Sequence, residues 1–156
     1  MTSRPDMIKN LAEVEEQLHY LDQPAEHYRT RRRLGKATGA ERIGVNYCRL
    51  QSGQVSSRFH YHTREEEFVF VLQGRAILRL GEVEYELRPG DAVSFRPGGP
   101  PHQLSNDFEE DCVYLDIGAS DPNDVVVYPE DGLQRRGEIK EAMVREPTFS
   151  TRKSAV

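Results

Sequence analysis

Three of the five histidines in this chain occur in patterns that are typical of metal ligands. His60 and His62 alternate within the stretch FHYHTREEEF, and on an extended strand residues i and i+2 point to the same side. Glutamates follow at 65–67, and His102 comes directly after the proline- and glycine-rich segment at 96–101. Imidazole nitrogens and a carboxylate together suit a divalent transition metal. The alternative is a charged surface loop that contains two incidental histidines.

Three neighbouring glutamates compete to supply the carboxylate of such a site. Glu67 opens the apolar run EFVFVLQG, and we expect this run to return antiparallel beside the histidine strand, so that its first carboxylate faces the imidazoles. Glu65 has the same strand parity, whereas Glu66 points the other way if the strand has already begun. The residue pattern alone leaves this choice open, with Glu65 and Glu66 otherwise forming a solvated turn.

Short β-type runs broken by turn residues dominate the chain from about residue 26. They recur at a spacing of about 8–12 residues, without alternating helical segments, which favours an antiparallel sandwich or a small barrel. Gly81-Glu82 predicts a tight hairpin between two of the runs. The predicted strands are 42–50, 67–74, 75–80, 83–88, 92–95, 112–118 and, as the last, 124–129.

The two flanks of this β region have different patterns. Apolar residues recur at helical spacing over 6–23, before Pro24, and predict an N-terminal helix. A shorter helix is predicted over about 136–145, within a polar tail. We therefore divide the chain into an arm over 1–25, a barrel over 26–132 and a tail over 133–156.

Composition and charge exclude several functional classes. The chain has 156 residues, 30% of them charged, and a net charge of −5, which is typical of one folded cytoplasmic domain rather than a nucleic-acid-binding protein. No secretory signal or membrane span is evident. The basic run RTRRRLGK (29–36) is most simply a solvated strand edge or a subunit contact, with an anion site as the alternative. Cys48 and Cys112 lie in predicted strands and are expected to be buried and reduced.

The spacing of the first histidine segment resembles the first motif of the cupin superfamily. That motif runs from a glycine through H-x-H and a glutamate to a second glycine. Gly53, His60, His62, Glu67 and Gly74 stand in this order, with four residues between His62 and Glu67 and six between Glu67 and Gly74. The resemblance selects Glu67 as the carboxylate, with Glu66 as the alternative. One departure is that six residues, rather than five, separate Gly53 from His60.

The second motif of the same superfamily is matched around His102. Gly90, Pro97, Gly99, His102 and Asn106 follow the pattern of a glycine and then P-x-G-x-x-H-x-x-x-N. Six residues, rather than five, separate Gly90 from Pro97, and everything after Pro97 keeps the family spacing. Both departures concern strand register between a turn glycine and the next fixed point, and they leave the ligand set unchanged.

The resemblance implies an all-β double-stranded β-helix, or jelly-roll barrel, together with a metal site. His60, His62, Glu67 and His102 would bind Fe, Mn, Ni, Zn, Co or Cu, leaving two coordination positions open. The family implies a small oxygen-rich substrate, with isomerisation or epimerisation of a sugar phosphate, dioxygenation, or decarboxylase and lyase chemistry as candidates. Arg58 shares strand parity with His60 and is a candidate anion contact, although a solvent-facing strand end is the simpler interpretation.

Two other functional classes remain open from the sequence. One is a non-catalytic module that binds or senses a small molecule, and the other is a barrel that folds without metal. The family also implies a homodimer, in which an arm over 26–34 would pair an edge strand with a neighbouring subunit. No nucleic-acid or membrane partner is expected.

Overall fold

The computed structural model describes residues 3–19, 27–136 and 144–145, and they form an all-β structure. The helical elements in these residues are a 3₁₀ turn, Leu11–Glu13, and a four-residue helix α1, Leu34–Ala37. The strands are β1 (Glu16–Leu18), β2 (Thr30–Arg33), β3 (Ile43–Leu50), β4 (Tyr61–His62), β5 (Glu67–Gln73), β6 (Ala76–Leu80), β7 (Val83–Leu87), β8 (Ala92–Phe95), β9 (His102–Ser105), β10 (Cys112–Ala119), β11 (Val125–Tyr128), β12 (Leu133–Arg136) and β13 (Val144–Arg145).

These strands form two facing layers, as in a jelly roll. One layer is a six-stranded sheet in the order β1-β2-β3-β10-β5-β8. The other contains a four-stranded sheet, β13-β12-β11-β4, and a three-stranded sheet, β7-β6-β9. An isolated bridge between His60 and His102 joins the two smaller sheets. All seven predicted strands are present, and β6 and β7 form the predicted hairpin through Leu80 and Val83.

Strand β5 shows which side of the large sheet faces the interior. Val69 and Val71 are 3% and 0% exposed, whereas Phe68 and Leu72 are 37% and 42% exposed. Because side chains alternate along a strand, Glu67 points to the same side as the two buried valines. This confirms the predicted parity and places the carboxylate inside the barrel.

Gly74 ends β5 at a position that no other residue can occupy without a rearrangement. Its φ is +70°, and a Cβ added there would lie 2.1 Å from the carbonyl oxygen of Asp111. Glycine alone combines this conformation with such a close backbone approach. The last glycine of the first motif therefore fixes the turn that leads from β5 to β6.

The helix predicted over 6–23 is wrong for its described residues. Only the 3₁₀ turn over Leu11–Glu13 is helical, and β1 follows it, pairing with β2. The Arg32 guanidinium donates hydrogen bonds to the carbonyls of Leu11 and Val14. Tertiary pairing at the edge of the sheet thus overrides the local apolar periodicity.

Three other expectations about strand order are also wrong. Strand β5 lies between β10 and β8 rather than beside the histidine strand, because β4 pairs with β11. Strand β11 is not the last, since β12 pairs with it. Strand β2, within the arm predicted to reach another subunit, is covered on both sides by β1 and β3.

The helix predicted over about 136–145 lies partly outside the described residues. The end that is described, Val144–Arg145, forms strand β13 and pairs with β12. That part of the chain is therefore extended rather than helical. The domain boundaries at 25 and 132 stay predictions.

Candidate metal centre

The carboxylate of Glu67 lies at the centre of three imidazoles. Its Oε2 is 2.8 Å from Nε2 of His102 and 3.7 Å from Nε2 of His60, and its Oε1 is 3.4 Å from Nε2 of His62. The ligand atoms of His60, His62 and Glu67 all lie within 4.8 Å of one another. The structure thus brings together all four residues that the sequence predicted, with His102 held through its contact to the carboxylate.

The four side chains come from two facing layers rather than from one hairpin. His60 and His102 are opposite each other on adjacent strands, linked by two backbone hydrogen bonds of 3.2 and 2.8 Å. His62 follows two residues after His60 and pairs with Val126. Glu67 begins β5 in the opposite layer, so its carboxylate reaches the imidazoles across the barrel.

Groups behind two of the imidazoles fix which nitrogen faces the centre. Nδ1 of His62 donates to Oδ2 of Asp124 at 2.7 Å, and Nδ1 of His60 donates to the carbonyl oxygen of Arg58 at 2.7 Å. A carbonyl or carboxylate oxygen can only accept here, so each Nδ1 carries the proton and Nε2 is directed at Glu67. Such outer hydrogen bonds are typical of histidine metal ligands.

Asp124 is a site residue that the sequence did not reveal. Its side chain is 3% exposed, and its Oδ1 also accepts hydrogen bonds from the backbone amides of Arg64 and Glu65. It therefore holds both the His62 ring and the turn that leads to Glu67. Its only sequence signal is its position as the first residue of the predicted strand 124–129.

The electrostatics of the centre are dominated by burial and by Glu67. Burial opposes ionisation of Glu67, but the hydrogen bond with His102 and the nearby rings of His60 and His62 outweigh it and hold the pKa of Glu67 well below the usual range. Burial would lower the pKa of His62, yet Glu67 and Asp124 raise it to about 9. The pKa of His102 is lowered, because burial outweighs the effect of Glu67. The centre thus concentrates ionised or strongly polarised groups away from water.

The other two glutamates of the predicted turn have different environments. Glu66 is exposed and points away from the imidazoles. Glu65 is half-buried, accepts a hydrogen bond from the amide of Asp121 and lies 3.5 Å from Nδ1 of His62. The expectation of a solvated turn is therefore correct for Glu66 and wrong for Glu65. With His62 and Asp124, Glu65 forms a second group of possible ligands behind the first.

Other residues of the second motif support the centre structurally. Asn106 is fully buried and its side chain binds the carbonyls of Leu50 and Glu110. The amide of Gly98 donates to the carbonyl oxygen of His62. Phe95 stacks on the His102 ring, with centroids 3.7 Å apart and planes 4° apart. These contacts restrict the orientation of the imidazoles.

Two basic residues outside the motifs occupy unexpected positions. Arg58 pairs with Asp131 at 3.6 Å and contributes its carbonyl, rather than its guanidinium, to the centre. His19 lies within electrostatic range of His60, and burial followed by the charges of Arg29 and Arg31 lowers its pKa well below the usual range. The sequence pattern included His19 only in the helix predicted over 6–23.

The fold and this centre together define a double-stranded β-helix with an internal His/Glu cluster. Residues 46–118 match the family model described as the cupin domain. This matched region contains all four candidate ligands. Residues 46–118 are therefore similar to the cupin domain, and the fold around them is similar to that of a solved structure named as a member of the cupin superfamily.

Two solved structures resemble nearly the whole chain. One is from Silicibacter pomeroyi and is named a sugar phosphate isomerase from a cupin superfamily; it is 28% identical, with a TM-score of 0.80 over 90% of this chain and 96% of that one. The other, from Acidithiobacillus ferrooxidans, is provisionally named a sugar phosphate isomerase; it is 29% identical, with a TM-score of 0.79 over 90% and 92% of the two chains.

A third structure shows the fold alone. A polyketide cyclase from Streptomyces resistomycificus is 22% identical, with a TM-score of 0.60 over 76% of this chain and 80% of that one. No curated protein sequence matches the chain. Within the described residues, no helix is both long and apolar enough to span a membrane.

Proposed function

We propose that the protein is a metal-dependent enzyme that isomerises a small phosphorylated sugar. The observation that carries this proposal is the convergence of three imidazole nitrogens on the Glu67 carboxylate, with Asp124 and the Arg58 carbonyl behind two of the rings. In this proposal His60, His62, Glu67 and His102 bind one divalent transition metal.

The donor set fits such an ion. Three neutral imidazoles and one carboxylate give mixed nitrogen and oxygen ligation, which suits Fe, Mn, Ni, Zn, Co or Cu. Without a cation, the three imidazole rings face the two carboxylate oxygens of Glu67. A metal with open positions polarises a bound carbonyl or hydroxyl oxygen. Asp124 and the Arg58 carbonyl would then keep the Nδ1 protons in place and the Nε2 lone pairs available.

Isomerisation is favoured over the other cupin chemistries by the two structures that resemble nearly the whole chain. Both carry names that refer to sugar phosphate isomerases, and each covers 90% of this chain. Isomerisation of a hydroxy-aldehyde to a hydroxy-ketone moves one proton from C2 to C1 and one from the C2 hydroxyl to the C1 carbonyl oxygen, and it needs no oxidant. The barrel would hold the substrate and exclude water from the reacting carbons, while the four ligands orient its two adjacent oxygens.

The test combines metal analysis with turnover. Protein purified without a histidine tag should contain nearly one transition-metal ion per chain and should interconvert a short-chain aldose phosphate and its ketose, followed by nuclear magnetic resonance. His102→Ala should remove the metal and abolish turnover, with the circular dichroism spectrum retained. His27→Ala is the matched control, since His27 is exposed and lies outside the motifs.

Three results would contradict the proposal in different ways. Absence of metal from the tag-free protein would contradict the proposed metal centre itself. A full complement of metal, with every tested small molecule recovered chemically unchanged after incubation, would favour the non-catalytic binding module. Full metal with consumption of oxygen or release of carbon dioxide would replace isomerisation by dioxygenase or decarboxylase chemistry.

The homodimer also stays a proposal. Phe68, Leu72 and Ile43 expose 37%, 42% and 46% of their surface on the large sheet, and burial of such a patch would stabilise a pair of subunits. Light scattering coupled to gel filtration measures this directly, and a mass of one chain at all concentrations would contradict it.

A further inference from the structure

Arg31 and Arg33 lie on the inner face of β2, and Arg29 precedes the strand on the same side. Arg31 is opposite Cys48 on β3, and Cys48 is opposite Tyr114 on β10. Both of these neighbours are 0% exposed, and residues opposite each other share one face of a sheet. Arg31 therefore points into the barrel, as do Arg29 and Arg33 at two residues on either side.

This arginine row lies in the same sheet as Glu67, with β3 and β10 between β2 and β5. Arg33 on β2 is opposite Asn46 on β3, and Asn46 is opposite Asp116 on β10. Asp116 is in turn opposite Val69 on β5. Val69 is two residues from Glu67 and on the same face of β5. His19 connects the two regions electrostatically, because Arg29, Arg31 and His60 all act on its ring. The basic row and the His/Glu cluster therefore belong to one interior.

Of Arg29 and Arg31, only Arg29 forms an ion pair with a described acidic residue. Arg29 pairs with Asp116 at 2.7 Å and donates to the Tyr114 hydroxyl at 2.9 Å. Arg31 makes no ion pair with any described carboxylate, and its buried Nε has no hydrogen-bond partner among the residues that the structure describes. Burial, and then the charges of Arg29 and Arg33, lower its pKa to about 10. It therefore stays charged at neutral pH without an ion pair of its own, because Asp116, which acts on it electrostatically, is already paired with Arg29.

An uncompensated guanidinium inside a barrel is costly. A planar guanidinium also matches the oxygens of a phosphoryl group, to which it can donate two parallel hydrogen bonds. Resting on the function proposed above, we infer that Arg31 binds the phosphoryl group of the substrate, while the oxygen-bearing carbons of that substrate reach the His/Glu cluster. This assigns the basic run RTRRRLGK to anion binding rather than to a solvated edge.

The neighbouring surface is suited to the approach of an anion. Arg33 ends β2 and lines a cavity of about 280 Å³. Lys36, one turn further along α1, lines the same cavity, and Glu15 is the one acidic residue among its lining groups. Two positive charges beside this cavity would raise the local concentration of a phosphorylated ligand.

The test measures phosphate binding separately from turnover. Isothermal titration calorimetry with inorganic phosphate is performed on wild type, Arg31→Gln, Arg31→Lys and the control Arg88→Gln, which removes an equal charge from an arginine side chain that is 71% exposed. We expect the phosphate Kd to rise about ten-fold or more in Arg31→Gln. Arg31→Lys should recover part of the affinity, and Arg88→Gln should behave as wild type.

Metal-free protein provides the second arm, because phosphate can also bind a metal directly. Binding that depends on Arg31 should persist after chelation of the metal. Equal phosphate affinity in wild type and folded Arg31→Gln would overturn the assignment, as would tighter binding of a short dicarboxylate than of phosphate. If Arg31-dependent phosphate binding is observed while no sugar phosphate is isomerised, the anion site stands and the proposed activity fails.

Discussion

The two ends of the barrel interior differ in how their side chains are satisfied. At one end, Leu50, Val71, Leu78, Leu104 and Cys112 are at most 3% exposed and pack against each other. At the other end, Glu67 and three imidazoles, together with the Arg29–Asp116 pair, are buried but polar. The apolar end is stabilised by packing among its own side chains. The polar end contains charges that neighbouring groups balance only in part, which is typical of a site built for a ligand.

The largest expected loss of stability comes from breaking the buried ion pair of the polar end. Asp116→Ala leaves the Arg29 guanidinium buried without its anion, and this should cost about 3–5 kcal/mol in the free energy of unfolding. Urea denaturation of the metal-free proteins measures the change. Glu130→Ala is the control, because Glu130 pairs with Arg79 at the same distance of 2.7 Å on the surface. Equal losses in the two variants would mean that the polar end is effectively solvated.

A cavity at the apolar end should cost a similar or smaller amount, without affecting the metal. Leu50 is 0% exposed, and Leu50→Ala should destabilise the fold by about 2–5 kcal/mol through lost burial and an unfilled cavity. The metal content of the folded variant should equal that of wild type. Leu72→Ala is the control, since Leu72 is 42% exposed on the outer face. Loss of metal from folded Leu50→Ala would contradict the independence of the two ends.

The sequence predicted the strands and the four candidate ligands that the fold brings together, but not the groups behind them. Alternation along β5 was sufficient to place Glu67 beside Val69 and Val71, because one strand determines its own parity. The residue pattern offered the three histidines, and the family resemblance was needed to select Glu67 among three neighbouring glutamates. Asp124 is separated from its partner His62 by 62 residues, and Arg31 faces the interior only through pairing of β2 with β3. Neither contact leaves a local pattern.

The N-terminal segment shows the opposite limitation. Its apolar residues recur at helical spacing, yet Leu18 is 40% exposed and Val14 is buried under the carbonyl contacts of Arg32. Asn10 and Glu13 do form a capping box, but only one 3₁₀ turn follows it. Local helix propensity is weak compared with the hydrogen bonds gained when β1 joins the large sheet.

A smaller effect should follow from weakening the support of one ligand. Asp124→Asn keeps a hydrogen-bond acceptor at His62 but removes the negative charge, and it should lower metal affinity by about 10–100-fold. Competition with a chelating dye gives the affinity. Glu66→Gln is the matched control, because Glu66 is exposed beside the same turn. Unchanged affinity in Asp124→Asn, or an equal loss in Glu66→Gln, would remove Asp124 from the metal centre.

The smallest expected effect lies at the boundary between the two ends. Cys48 is a free thiol at 0% exposure, in register with Arg31 on one side and Tyr114 on the other. Burial raises its pKa to about 12, although the charges of Arg29 and Arg31 favour the thiolate. Because the thiolate is the reactive form, the native protein at pH 8 should not react measurably with iodoacetamide, as followed by mass spectrometry. Cys112, whose pKa burial raises to about 11, is the internal control, and both thiols should react in denaturant. Rapid modification of Cys48 alone in the native protein would mean that solvent reaches Cys48 and that the charges of Arg29 and Arg31 stabilise its thiolate.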